Sequence, residues 1–157
     1  MSNSSGAMAS ERAVVGLGNP YRRDDGVGPA LIDRLAAQDL PSTDLLDLGD
    51  AGFELVHVLT DYEAVVIVDA VRFGGDPGEY IVFDPDETTT LGENGATHDA
   101  DPEAFLDIAD RIGDAPASVR LFGIQPATTE FGERFSPAVS GALPAATAAL
   151  LRVLRRL

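Results

Sequence analysis

Short runs of β-forming apolar residues alternate with stretches of helical spacing along this chain. That alternation restricts the fold more than any other feature of the sequence. The runs lie at 13–17, 45–48, 64–68 and 119–124. Helical candidates lie at 28–37, 51–60, 102–112 and 137–157. Strands joined through helices pair as parallel neighbours by right-handed crossovers, with helices on both faces of the sheet. The expected fold class is therefore α/β and three-layered. A fifth run, 79–83, follows the turn signal Gly74-Gly75-Asp76-Pro77-Gly78. It is expected as an antiparallel piece beside the third strand. The helix at 102–112 opens with Asp101-Pro102-Glu103, with proline at its first position. The last helix starts at Ser136-Pro137, and Pro144 is expected to break it or delay its start. The stretch 84–100, rich in Thr, Gly and Asp, has no period and is expected as a long loop.

Composition narrows the chemistry. No cysteine is present, which removes disulfides, thiolate metal sites and cysteine nucleophiles together. Any metal must be held by carboxylates, imidazole, amides or water. The chain carries 26 acidic and 11 basic residues, every basic one an arginine, for a net charge of −15. Nucleic-acid binding needs positive surface against phosphate, so that function class is excluded, as is docking on an anionic membrane. Such an acidic excess suits a salt-rich cytoplasm, where self-repulsion is screened. No apolar run approaches the roughly 20 residues of a membrane span. The small polar start, MSNSSGAMAS, lacks the pattern of a signal peptide, so a cytoplasmic protein is expected.

The first strand runs into Gly16-Leu17-Gly18-Asn19-Pro20, and Asp24-Asp25-Gly26-Val27-Gly28 follows before the first helix. In open α/β sheets, ligands bind outside the carboxyl ends of the strands. The carboxylate pair thus stands where such folds put their chemistry, although Asp at that place also caps helices. Asp69 directly follows Val65-Val66-Ile67-Val68 and lies at the same edge. His98, one of two histidines, is in the long loop, whereas His57 falls in a helical run and is expected on its surface. Two carboxylates and an imidazole suit a divalent transition metal with positions left open for water or substrate. Their wide spacing is not a local metal motif. The glycines make no dinucleotide fingerprint, no serine sits in a nucleophile elbow, and a chain without lysine has no Walker lysine.

In order along the chain, several blocks resemble the hydrogenase maturation endopeptidases, which process the large subunit of nickel-iron hydrogenases. Gly16-Leu17-Gly18-Asn19-Pro20-Tyr21-Arg22-Arg23-Asp24-Asp25-Gly26-Val27-Gly28 is similar to the family's opening motif. Asp47-Leu48-Gly49-Asp50-Ala51-Gly52-Phe53-Glu54-Leu55 resembles its second strand, glycine turn and helix. Val66-Ile67-Val68-Asp69-Ala70-Val71 resembles its third strand and acidic end, and Thr97-His98-Asp99 its histidine loop. Phe122-Gly123-Ile124-Gln125-Pro126 and Phe135-Ser136-Pro137-Ala138-Val139 resemble its last strand and the start of its final helix. The resemblance spans residues 13–150. Asp50 stands where the family commonly has Thr, and Arg22-Arg23 replaces more apolar residues.

The resemblance implies a twisted five-stranded sheet, mostly parallel with one antiparallel strand and helices on both faces. The small polar start is expected as a disordered tail over residues 1–12, and the resemblance makes 13–157 a single peptidase domain. It implies metal binding by Asp25, Asp69 and His98, with Asp24 or Asp25 positioned to serve as a general base. The ion would be nickel supplied by the substrate, with no permanently bound cofactor. The partner would be the hydrogenase large-subunit precursor, shortened at its C-terminus by an enzyme expected to be a monomer. Two alternatives share parts of the pattern. A nickel-site docking factor or metallochaperone would use the same three residues without cutting. Peptidyl-tRNA hydrolase also opens with Gly-Leu-Gly-Asn-Pro, but its histidine element is replaced here by Arg23-Asp24-Asp25-Gly26.

Overall fold

The structure, a computed structural model, describes residues 11–49, 55–83 and 118–157. Five strands form one sheet: β1 (Arg12–Leu17), β2 (Thr43–Gly49), β3 (Ala64–Ala70), β4 (Tyr80–Phe83) and β5 (Ser118–Ile124). Their order is β2-β1-β3-β5-β4, all parallel except β4 against β5. Among the described residues the helices are α1 (Val27–Ala36), α2 (Leu55–Asp61) and α3 (Pro137–Arg155). The helix expected at 102–112 lies outside the described residues.

Strand periodicity divides the core into two layers. Val15, Ile67 and Leu121 point to one face and pack with Leu55 and Leu59 of α2. Val14, Val66, Val68 and Phe122 point to the other and pack with Leu31 and Leu35 of α1 and Leu143 and Leu150 of α3. The three central strands are buried on both faces. That explains why they read as continuous apolar runs rather than as alternating ones.

Three expectations need correction. The antiparallel strand does not lie beside β3; β5 intervenes, and β4 takes the sheet edge. The reason is apolarity: four consecutive residues of β5, Leu121 to Ile124, are fully buried, whereas Tyr80 and Val82 of β4 are exposed. β3 continues two residues past Val68, so Asp69 is the penultimate strand residue, paired with Gly123. Finally, α3 runs 19 residues through Pro144 without a break. Pro144 removes one N–H and crowds the carbonyl four residues earlier, on Ser140. Both residues are exposed, so that carbonyl lies on the solvent face, while the buried stripe of Val139, Leu143 and Leu150 holds the helix on the sheet. With a mean hydropathy of 1.4, α3 is apolar and long enough to cross a membrane, but that stripe is spent on the core.

Candidate functional site

The chain leaves β1 for β2 on one side of the sheet and then returns across β1 to β3 on the other. The carboxyl ends of β1 and β3 therefore flank the switch point, where parallel sheets open a crevice for ligands. Two glycines let the chain crowd into it. A Cβ on Gly28 would meet the Leu17 carbonyl at 2.3 Å and the Val68 carbonyl at 2.7 Å, so only glycine lets α1 begin against both strand ends. Gly18, at φ +122°, lies against the backbone of Asp25, whose carbonyl a Cβ would meet at 1.9 Å.

Between them, a short 3₁₀ turn, Arg23–Gly26, carries both carboxylates. Their surroundings are unlike. Asp25 is partly exposed; its Oδ2 accepts the Asn19 N–H at 2.8 Å, and its Oδ1 takes no hydrogen bond from the described residues. Asp69 is also partly exposed, and its Oδ1 accepts the N–H of Ala70 at 2.8 Å. Beyond it, buried Gln125 accepts the N–H groups of Phe73, Gly74 and Gly75 through Oε1, pinning the loop that leaves β3. Parallel registration of Gly16 with Val68 sets the ends that bear Asp25 and Asp69 side by side.

Asp24 is fully buried. Its Oδ1 accepts the Ser136 N–H at 2.8 Å. Its Oδ2 accepts the Ser136 hydroxyl and the Ala127 N–H at 2.8 Å each, and the Thr128 N–H at 3.2 Å. Burial by itself would raise the carboxyl pKa. The N–H groups of Ser136 and Ala127, the Ser136 hydroxyl and the Thr128 N–H outweigh it and hold the group below its ordinary value. This corrects the sequence expectation for Asp24 on two counts. Its lone pairs are engaged and shut off from water, so it does not serve as a general base. Nor does it cap the helix that follows it, since the N-cap of α1 is Gly26 with no side-chain bond. It binds instead the N-cap of α3, Ser136, whose hydroxyl accepts the Val139 N–H at 3.3 Å.

His98, and with it the three-residue constellation, lies outside the described residues. Among the described residues no three His, Asp or Glu side chains gather as a metal site. The side chain of His57, in α2, is likewise outside what is described. Sequence reasoning missed Ser136, Gln125 and the segment 126–128. The Ser-Pro helix start was a visible signal, but a partner 112 residues away was not.

Comparison with known proteins bears on what this edge does. The family model described as hydrogenase maturation protease matches residues 29–153. A hydrogenase expression/formation protein, HupD of Rhodobacter capsulatus, is 32% identical over 155 residues, covering 95% of this chain and 74% of its own. The crystal structure of a hydrogenase 2 maturation peptidase from a Thaumarchaeota archaeon is 31% identical, with a TM-score of 0.66, and covers 92% of this chain and 97% of its own. The hydrogenase maturating endopeptidase HybD of Escherichia coli shares the fold at a TM-score of 0.74 and 23% identity, with 93% of each chain covered.

Proposed function

The chain belongs to the hydrogenase maturation protease family, and we propose that it cuts at a centre formed by Asp25, Asp69 and His98 around an ion that the substrate carries. It is a peptidase that removes the C-terminus of a hydrogenase large-subunit precursor. The observation behind the proposed centre is the switch point itself: of two partly exposed carboxylates, Asp25 lies in the 3₁₀ turn that follows β1 and Asp69 near the carboxyl end of the adjacent β3.

Asp25 offers an Oδ1 that the described residues leave unbonded, and Asp69 is the penultimate residue of the central strand β3. An imidazole from the loop holding His98 would complete a three-ligand set with open positions. Such a set binds a free ion less firmly than a closed structural site does. Nickel already seated in the precursor brings its own ligands, so the ion and the enzyme meet only in the complex. There the ion either polarises the scissile carbonyl or lowers the pKa of a bound water. Water oxygen adds to the carbonyl carbon, the C–N bond breaks, and the new amine leaves with a proton. The proton lost by the water passes to a carboxylate of this edge and from it to the leaving amine nitrogen. The proposal takes the enzyme as a cytoplasmic monomer acting on protein, in keeping with a net charge of −15.

The test is processing of purified precursor followed by gel shift and mass. Asp25→Ala, Asp69→Ala and His98→Ala each abolish removal of the C-terminal peptide while leaving the circular dichroism spectrum intact. His57→Ala cuts at a near-normal rate. Full activity of Asp69→Ala would overturn the centre. A wild-type protein that binds nickel-loaded precursor without ever cutting it would mark a docking factor instead.

A further inference from the structure

We propose that Asp24 is a positioning residue for the cleavage reaction: it locks the 3₁₀ turn so that the neighbouring Asp25 carboxylate is presented in one orientation. The proposal rests on the reading of Asp25 as a ligand of the cutting centre.

The turn is stitched to a distant segment rather than to its own helix. The Asp24 side chain receives four hydrogen bonds, from Ala127, Thr128 and, twice, Ser136. Its backbone N–H donates to the Thr128 carbonyl at 3.1 Å. On the preceding side, the Arg23 N–H donates to Gly132 O at 2.9 Å, and the Gly132 N–H donates to Tyr21 O at 2.8 Å. Arg22 Nε reaches the Thr129 carbonyl at 3.0 Å. With both the backbone and the side chain of Asp24 bonded to the distant segment, and the Asp25 N–H donating to the Arg22 carbonyl at 3.1 Å, the Cα of Asp25 is restrained. Only its two side-chain torsions remain, and the Asn19 N–H at Oδ2 sets those.

Two features mark this as an imposed geometry. Arg23 sits at φ +48°, a left-handed conformation that a side-chain-bearing residue keeps only when its surroundings enforce it. And a buried carboxylate is costly unless its charge is met. Among the described residues no cation pairs with Asp24; neutral donors and the N-terminus of the 19-residue helix α3 meet the charge instead. An apolar residue or an amide could fill the space at lower risk. A carboxylate here gains four directional bonds at once, which fixes the turn against both the 126–128 segment and α3.

Supporting partners of this kind typically cost about 10–100-fold in activity when removed, and misplacement of a reacting group by about 1 Å costs about 10²-fold. Asp24→Asn keeps the shape but turns N–H donors toward N–H donors. It lowers kcat for precursor cleavage by about 10²-fold with KM within about twofold. Ser136→Ala removes one of the four donors and lowers kcat by about 10-fold, and Ser136→Thr restores it. Should Asp24→Asn fail to fold, the Ser136 series carries the test alone. Wild-type kcat in Ser136→Ala, or a loss that Ser136→Thr does not repair, overturns the positioning role. Wild-type cleavage by Asp25→Ala instead overturns the reading of the site on which it rests.

Discussion

Asp24 and Asp25 are adjacent in sequence yet differ in every physical respect that decides a carboxylate's use. One is sealed among four donors; the other is partly exposed and accepts one hydrogen bond among the described residues, from the Asn19 N–H. The chain could be read far enough to place the pair at the sheet edge, since an apolar run and a glycine turn precede it. It could not be read far enough to divide the roles. That division depends on Ser136 and Ala127, over 100 residues away, and on burial, which neighbouring residues do not encode. A pH dependence follows from the sealed member. Its folded pKa lies below the unfolded value of about 3.9. The stability it contributes is therefore fully present above that value and is lost as pH falls through the folded pKa. Chemical denaturation between pH 6 and about pH 2.5 checks this. Wild type loses stability on the acid side more steeply than a folded Asp24→Asn variant, and parallel acid limbs would contradict the assignment.

At the scale of elements, the two ends of α1 and β1 show how little space the site allows. Gly28 brings the first turn of α1 onto the carbonyls of Leu17 and Val68, so the turn carrying Asp25 stands directly over β1 and β3. Gly28→Ala forces that helix away from the strands. It costs about 3 kcal/mol or more, because the contacted atoms are backbone and cannot yield as side chains do. Urea unfolding measures the loss, and precursor cleavage falls with it. Strand and helix identity was legible because β1, β3 and β5 are buried on both faces and read as unbroken apolar runs. The sheet order was less so, since nothing local says that β5 inserts between β3 and β4. Pro144 misled for a related reason: the proline signal is local, whereas α3 is held by its buried stripe. Pro144→Ala restores a backbone hydrogen bond on the exposed face and raises stability by about 1 kcal/mol, less than the full propensity difference because the helix has already adapted.

For the whole molecule, two features matter: a net charge of −15 and a topological switch point between β1 and β3. The acidity repels itself, so the midpoint of thermal unfolding rises as salt is added from about 0.05 M to about 1 M, with the steepest gain where the Debye length shrinks below about 10 Å. A midpoint independent of salt would show that the charges are already compensated. The same acidity has no bearing on which bond is cut, and the fold alone would leave the chemistry open, since one architecture hosts many functions. Membership of the family supplies the reaction, and the proposed centre sits at the edge between β1 and β3. The most direct measurement compares one precursor prepared with nickel and without it, each incubated with the same enzyme after chelator treatment and desalting. Substrate-carried metal predicts complete removal of the C-terminal peptide from the nickel-loaded precursor and none from the nickel-free one. Equal cleavage of both, or activity lost to the chelator and recovered with added zinc, would contradict it.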